Sequence, residues 1–140
     1  MREIIIQEKW IDAAFEAREK AYAPYSGFTV GAALITEENK IYKGCNIENA
    51  SYGATNCAER TAFFKAVSEG EHGFKAIVIV GGKAGELPET FAFPCGMCRQ
   101  VMTEFCNEDF CVICVKSKND IQVFSLKDLN PFGFDKEAMN

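Results

Sequence analysis

Three cysteines and a glutamate, in two short segments far apart in the sequence, place the strongest constraint on the fold of this 140-residue chain. The first segment is Cys57-Ala58-Glu59, and the second, which follows after 34 residues, is Pro94-Cys95-Gly96-Met97-Cys98. Three thiolates fill three of the four tetrahedral positions of Zn²⁺ and leave one open, as a catalytic zinc site requires. The intervening chain must therefore fold back so that both segments reach one ion.

The carboxylate of Glu59 is not required as a ligand in such a site, so it is free to transfer protons. Cys57 directly precedes a predicted helix, and Cys95 opens another. Free N–H groups and a partial positive charge at helix starts favour thiolate over thiol. Cys95 and Cys98 lie one turn apart and can point at one ion. We therefore predict zinc ligands at Cys57, Cys95 and Cys98, with Glu59 as general acid and base.

A second set of thiols competes with this interpretation. Cys95-x₂-Cys98 followed by Cys111-x₂-Cys114 has a spacing close to that of a structural Cys₄ zinc site. However, residues 110–115 are predicted to form a buried strand, and positions three apart on a strand point to opposite faces. Cys111 and Cys114 are therefore expected in the core.

The remaining cysteines and the single histidine are not expected in the metal site. Cys45 is predicted to pack inside the fold, His72 lies in a predicted turn, and Cys106 receives no assignment. Three thiolates give a zinc site a net negative charge, which opposes the acidification of bound water. A cationic group should therefore lie nearby, and the candidates are Arg60 and Arg99.

Composition and charge restrict the class of protein. A chain of 140 residues and 15.5 kDa fits a single domain, residues 1–140. A net charge of -5 and a pI near 5.0 count against a nucleic-acid partner, because phosphate contacts need clustered Lys and Arg. An odd number of cysteines and no secretion signal favour a reducing, cytoplasmic location. No apolar stretch reaches the length of a membrane span.

Hydrophobic periodicity predicts an α/β fold, in which one mixed sheet is layered with helices in the order α-β-β-α-β-α-β-β, followed by a short helix or turn. The segment 47–56 has no clear period and is predicted to be a loop. The predicted helices are residues 7–22, 58–69 and 95–105, and the predicted strands are residues 28–36, 40–46, 76–80, 110–115 and 121–126.

Five segments, taken in order, resemble the small homotetrameric cytidine deaminases along nearly the whole chain. They are Tyr22-Ala23-Pro24-Tyr25-Ser26, Phe28-Thr29-Val30-Gly31-Ala32-Ala33, Asn46-Ile47-Glu48-Asn49-Ala50-Ser51-Tyr52, Cys57-Ala58-Glu59-Arg60-Thr61-Ala62 and Pro94-Cys95-Gly96-Met97-Cys98-Arg99-Gln100. The resemblance implies a three-layer α-β-α sandwich with a mixed five-stranded sheet. It also implies one Zn²⁺ per subunit, and an Arg60 side chain bonded to the ligand thiolates.

The resemblance further implies how a nucleoside would bind. Asn46 and Glu48 would hydrogen-bond the ribose 3′-hydroxyl, and Phe28 would lie against the pyrimidine ring. The backbone of Ala58 and of Cys95 would hold the edge of the base near the metal.

Three residues are implied to act across subunits, so that a homotetramer shares its active sites. Ala50 and Tyr52 would reach a neighbouring subunit's site, as would Phe134 from the C-terminal tail. The tail departs from the family pattern at Asn130, where leucine is common.

The function expected from these observations is zinc-dependent hydrolytic deamination of cytidine and 2′-deoxycytidine in pyrimidine salvage, with release of ammonia. One alternative is a deaminase of a modified cytosine nucleoside such as blasticidin S, which the 46–50 segment disfavours. Another is a zinc-stabilised binding protein without chemistry, which would have no use for Glu59 beside an open coordination position.

Overall fold

The secondary-structure elements follow one another in the predicted order in the computed structural model, which describes residues 2–139. They are α1 (Glu8–Arg18), β1 (Phe28–Thr36), β2 (Ile41–Cys45), α2 (Ala58–Ser68), β3 (Phe74–Lys83), α3 (Gly96–Phe105), β4 (Cys111–Ser117), β5 (Asp120–Ser125) and α4 (Leu126–Leu129). Short 3-10 turns cover Tyr52–Ala54 and Lys136–Met139.

The five strands form one mixed sheet in the order β2-β1-β3-β4-β5. Strands β3 and β4 are parallel, and every other pair is antiparallel. Antiparallel neighbours can be joined by short turns, whereas a parallel pair needs a long crossover. Helix α3 lies in that crossover between β3 and β4. Cys95 and Cys98, at the start of α3, therefore lie on the connection that crosses the sheet.

Helices cover both faces of the sheet, which confirms the predicted three-layer α-β-α arrangement. On one face, Trp10 of α1 packs with Val78 of β3. On the other, Phe63 of α2 and Met102 of α3 pack with Ile77 of β3. Neighbouring residues of each strand point to opposite faces, so the continuous apolar run of β3 serves both cores.

Two glycines let helix backbones touch the sheet. A Cβ atom on Gly31 would lie 2.0 Å from the carbonyl oxygen of Ala14 in α1. A Cβ atom on Gly44 would lie 2.4 Å from the carbonyl oxygen of Ala58 in α2. Only glycine tolerates these approaches without a shift of backbone. The contact at Gly44 brings the start of α2, which carries the Cys57-Ala58-Glu59 segment, close to the end of β2.

Two predicted elements have wrong boundaries for reasons of tertiary pairing. Helix α1 ends at Arg18 rather than at residue 22, because Tyr22 forms a parallel β-bridge with Ile47. Strand β3 extends beyond the predicted residues 76–80, because it pairs with β1 along its length, including Gly81 and Gly82. The predicted loop 47–56 contains an antiparallel bridge from Ile47 to Asn56.

Within residues 2–139, no helix combines the length and the apolar character needed to cross a lipid bilayer.

Candidate zinc centre and active site

The sulfur atoms of Cys57, Cys95 and Cys98 lie within 4.8 Å of one another. The distance from Cys57 Sγ to Cys95 Sγ is 3.6 Å, and the distance from Cys95 Sγ to Cys98 Sγ is 3.5 Å. A tetrahedral Zn²⁺ with bonds of about 2.3 Å to sulfur separates its ligand atoms by about 3.8 Å. The three residues therefore fit a tetrahedral zinc ion, and thiolates are among its preferred ligands.

The starts of two helices position the sulfurs. Cys57 is the N-cap of α2, Cys95 is the N-cap of α3, and both have extended backbone. Neither side chain forms a capping hydrogen bond, so both sulfurs remain available to a metal. Cys98 lies in the first turn of α3 and is buried. Both helix dipoles thus direct their positive ends toward the thiolates.

The pKa values of Cys57 and Cys98 are shifted in opposite directions. The pKa of Cys57 is lowered to about 5, first because Cys98 donates a hydrogen bond to its sulfur, and also because Arg60 lies beside it. The pKa of Cys98 is raised, because it is the hydrogen-bond donor of this pair and because it is buried. Ionising Cys98 together with Cys57 therefore requires additional positive charge, which a metal supplies.

Arg60 lies against the cysteine cluster, and Arg99 does not. The Nη2 atom of Arg60 donates to Cys57 Sγ over 3.4 Å, and the charges of Cys57 and Cys98 both act on its guanidinium. Arg99 instead donates from Nε to the carbonyl oxygen of Pro94, at 2.8 Å, and from Nη1 to that of Leu129. Two donor atoms of Arg99 are thus engaged by backbone carbonyls, and among the arginines of residues 2–139 only Arg60 hydrogen-bonds a sulfur of the cluster.

Glu59 is the second residue of α2 and is only 4% exposed. Burial raises its pKa to about 7, and the negative charge of Cys57 acts in the same direction. A buried carboxyl group next to the thiols can therefore change its protonation state near neutral pH, as general acid–base chemistry requires.

Asn46 holds the beginning of β1 through its side-chain amide. Its Oδ1 atom accepts a hydrogen bond from the N–H of Val30 at 2.8 Å, and its Nδ2 atom donates to the carbonyl oxygen of Phe28 at 2.9 Å. A primary amide offers two N–H groups and two lone pairs. One donor and one acceptor of Asn46 therefore remain for a ligand.

Glu48 organises the turn before β1. Its Oε1 atom accepts hydrogen bonds from the N–H groups of Tyr25, at 2.9 Å, and Ser26, at 3.1 Å. Its Oε2 atom accepts one from the hydroxyl of Ser26. The hydrogen bonds from Ser26 and Tyr25 hold the pKa of Glu48 below its ordinary value, so the group is an ionised acceptor at neutral pH.

Backbone hydrogen bonds join the segment 46–48 to the cysteine cluster. Ile47 exchanges two of them with Asn56, the residue before Cys57. The Nδ2 atom of Asn56 donates to Thr61 Oγ1 at 3.1 Å, and Thr61 Oγ1 donates to the carbonyl oxygen of Cys57 at 3.1 Å. The segment containing Asn46 and Glu48 is therefore held in a defined position relative to α2.

The ring of Phe28 is partly exposed and rests over Gly81 of β3. A Cβ atom on Gly81 would lie 2.9 Å from Phe28 Cε2 and 2.9 Å from the Cβ of Ala92. Any side chain at this position would displace the ring. Gly81 therefore determines where the aromatic surface of Phe28 lies.

The residues expected to act across subunits are exposed in the single chain. Ala50 is exposed, and Tyr52 is 76% exposed with its ring in an edge contact 6.0 Å from that of Tyr25. Phe134 is 61% exposed, and its carbonyl oxygen accepts a hydrogen bond from Gln100 of α3. The unusual Asn130 donates to Thr103 Oγ1 at 2.9 Å, which also ties the tail to α3.

Residues 5–114 match the family described as the cytidine and deoxycytidylate deaminase zinc-binding region. The chain belongs to the cytidine deaminase family. It is 50% identical over 133 residues to a cytidine deaminase of Sporosarcina psychrophila, with 95% of this chain and 94% of that protein covered. It is 48% identical over 139 residues to one of Halalkalibacterium halodurans, with 99% and 98% covered.

A solved structure supports the same assignment. The crystal structure of cytidine deaminase from Burkholderia pseudomallei superposes with a TM-score of 0.84 at 47% identity, and the match covers 93% of this chain and all of the other. As a cytidine deaminase family member, the chain is a hydrolase whose three-cysteine cluster is suited to zinc.

Sequence reasoning missed several residues that shape the site of this cytidine deaminase family member. Ser26 and Thr61 were not singled out, although both lie within the segments that carry the family resemblance. Gly81 lies just beyond the predicted strand 76–80 and received no role in the sequence analysis. Its adjacent glycine pair was the available signal, because glycine inside a strand often marks a close approach.

Proposed function

We propose that this protein catalyses the hydrolytic deamination of cytidine and 2′-deoxycytidine to uridine and 2′-deoxyuridine, with release of ammonia. One observation carries the proposal: the buried carboxyl group of Glu59 lies two residues after Cys57, one of three cysteines whose thiols form a cluster. Within residues 2–139, no fourth Cys, His, Asp or Glu side chain completes that cluster. An incomplete ligand set with an adjacent proton carrier favours catalysis over a purely structural metal site.

Cys57, Cys95 and Cys98 would hold the zinc ion. When bound, zinc supplies an activated water molecule and stabilises developing negative charge. Glu59 accepts a proton from the attacking water, whose oxygen bonds to C4 of the pyrimidine, and delivers that proton to N3. Glu59 then carries the proton of the new C4 hydroxyl group to the exocyclic amine. The bond from C4 to the amine nitrogen breaks, and ammonia leaves as the C4 carbonyl forms.

Arg60 would offset part of the negative charge of the thiolates. Its hydrogen bond to Cys57 withdraws electron density from one ligand, so the cluster donates less charge to the metal. A less electron-rich ligand set leaves the ion a stronger Lewis acid.

Asn46 and Glu48 would bind the sugar through its 3′-hydroxyl group. This hydroxyl can donate to Glu48 and accept from the free N–H of Asn46. Ribose and deoxyribose are alike at this position, so both substrates are expected to bind. Phe28 would lie against the pyrimidine ring, and the backbone of Ala58 and Cys95 would hold the base edge.

We also propose that one domain spans residues 1–140 and that four copies assemble with shared active sites. The exposed Tyr52 and Phe134 support such an assembly, because large apolar side chains at a surface are suited to an interface. With Ala50, they would complete a neighbouring subunit's site. The setting would be pyrimidine salvage in the cytoplasm, with nucleosides rather than nucleic acids as ligands.

A substrate panel tests the proposal. The zinc-loaded protein is mixed separately with cytidine, 2′-deoxycytidine, cytosine, CMP and blasticidin S, and ultraviolet absorbance and released ammonia are followed. We expect turnover of the first two substrates. Turnover of blasticidin S alone would support the modified-nucleoside alternative. No turnover of any compound, with zinc content verified, would support a binding protein instead.

A further inference from the structure

We infer that Ser26 is a positioning residue for nucleoside binding, which it serves by orienting the carboxylate of Glu48. This inference rests on the proposed function. The hydroxyl of Ser26 donates to Glu48 Oε2, and its backbone N–H donates to Glu48 Oε1 at 3.1 Å. Ser26 therefore contacts both oxygens of the group that would bind the sugar.

The direction of the Ser26 hydroxyl is set by a neighbouring donor. The N–H of Phe28 donates to Ser26 Oγ at 3.0 Å. Because this N–H occupies a lone pair of the hydroxyl oxygen, the O–H bond points away from it, toward Glu48. The carbonyl oxygen of Phe28 in turn accepts a hydrogen bond from Asn46 at 2.9 Å, so the backbone of Phe28 is itself held in place.

The number of lone pairs on Glu48 explains why this orientation matters. An ionised carboxylate has about four acceptor positions. Oε1 uses two of them for the N–H groups of Tyr25 and Ser26, and Oε2 uses one for the Ser26 hydroxyl. One acceptor position remains, on Oε2, and Ser26 determines where it points. A sugar hydroxyl that donates to Glu48 must approach from that direction.

Ser117 provides a matched control, because its hydroxyl accepts the same local hydrogen bond without contacting a carboxylate. The N–H of Asn119 donates to Ser117 Oγ at 3.3 Å, again from two residues further along the chain. Ser117 lies at the end of β4 and, like Ser26, is exposed. If Ser26 acted only as a turn residue, substitution by alanine should have similar consequences at both positions.

The experiment compares Ser26→Ala, Ser26→Thr and Ser117→Ala with the wild-type protein in steady-state kinetics on cytidine. We expect Ser26→Ala to raise KM about 5- to 20-fold with kcat changed less than about 2-fold, because a hydrogen bond to a charged group is lost from binding. Ser26→Thr keeps a hydroxyl and should restore KM to within about 3-fold of wild type. Ser117→Ala should match the wild type.

A second substrate separates the route through Glu48 from any other. The compound 2′,3′-dideoxycytidine lacks the 3′-hydroxyl and cannot hydrogen-bond Glu48 through it. The orientation of Glu48 should therefore have little effect on the binding of this compound. The KM ratio of Ser26→Ala to wild type should fall to about 2 or less with this substrate. An equal KM increase for both substrates would overturn the inference, as would an unchanged KM for cytidine or a loss of kcat that accompanies a lower melting temperature.

An inactive wild type would refute the proposed function and this inference together, whereas an active wild type with an unaffected Ser26→Ala variant would refute the inference alone.

Discussion

Ile47 and Asn56 exchange two backbone hydrogen bonds, each 2.9 Å long, and so join the segment after β2 to the residue that precedes Cys57. On its other side, Ile47 forms a parallel bridge with Tyr22. Backbone contacts, supplemented by the side chains of Asn56 and Thr61, thus hold the sugar-binding candidates and the cysteine cluster together. Conservative changes of single side chains in this site should therefore alter its chemistry while leaving its framework intact.

Replacement of Glu59 by glutamine should remove proton transfer and retain the metal. The amide keeps the shape of the side chain but cannot accept and return a proton. We therefore expect kcat to fall by about 10²- to 10⁴-fold. Zinc content is measured alongside cytidine turnover. Glu104→Gln, an exposed position on α3, serves as the control. A Glu59→Gln variant with near-normal turnover would eliminate Glu59 as the proton carrier.

Replacement of Arg60 by glutamine should weaken zinc retention. The variant loses the positive charge that lies 3.4 Å from Cys57 Sγ, and altered partners of metal ligands cost about 10- to 100-fold in metal affinity. Competition with a chromogenic chelator measures the change. Arg2→Gln is a suitable control, because the guanidinium of Arg2 pairs with Glu37 and not with a cysteine of the zinc cluster. Equal zinc affinity in Arg60→Gln and wild type would contradict the proposed charge compensation.

Replacement of Gly44 by alanine should destabilise the fold through α2. The new Cβ would lie 2.4 Å from the carbonyl oxygen of Ala58 and 2.5 Å from the nitrogen of Ala62, and both are backbone atoms that move only with the helix. We expect a loss of about 2–3 kcal/mol in the free energy of unfolding. Urea denaturation measures this loss.

The control for this prediction is Gly53→Ala, since a Cβ at Gly53 has no atom within 4 Å. Its free energy of unfolding should remain within about 0.5 kcal/mol of wild type. If Gly44→Ala proved as stable as Gly53→Ala, the direct contact between α2 and β2 would be refuted.

Replacement of both Cys111 and Cys114 by alanine should leave zinc binding intact. The two side chains are fully buried on opposite faces of the sheet, Cys111 in the core under α1 and Cys114 in the core under α2 and α3. They cannot converge on one ion. Zinc per chain, measured by elemental analysis, should stay near one, whereas Cys95→Ala should lose it. Loss of zinc from the double variant would instead favour the Cys₄ arrangement.

Much of the fold could be predicted from local patterns. Strand β1 has the predicted bounds, Phe28–Thr36, because its apolar residues and flanking turns are local signals. The position of Cys111 and Cys114 in the core follows from the period of a strand alone. Errors arose where distant segments pair, as at Tyr22, whose partners Asn46 and Glu48 lie more than twenty residues away in the sequence.

The spacing of Cys57, Cys95 and Cys98 was sufficient to predict a zinc centre, because metal ligation depends on residue type and helix position. Residue chemistry left Arg60 and Arg99 as equal candidates for the cation beside the thiolates, and only the family resemblance favoured Arg60. The tertiary structure gives the physical reason, because the carbonyl oxygens of Pro94 and Leu129 engage Arg99, whereas Arg60 donates to Cys57. Only the tertiary structure shows that Ser26 pairs with Glu48. A hydrogen bond between two segments depends on where their backbones meet in space, and it produces no periodic pattern in the sequence from which it could be predicted.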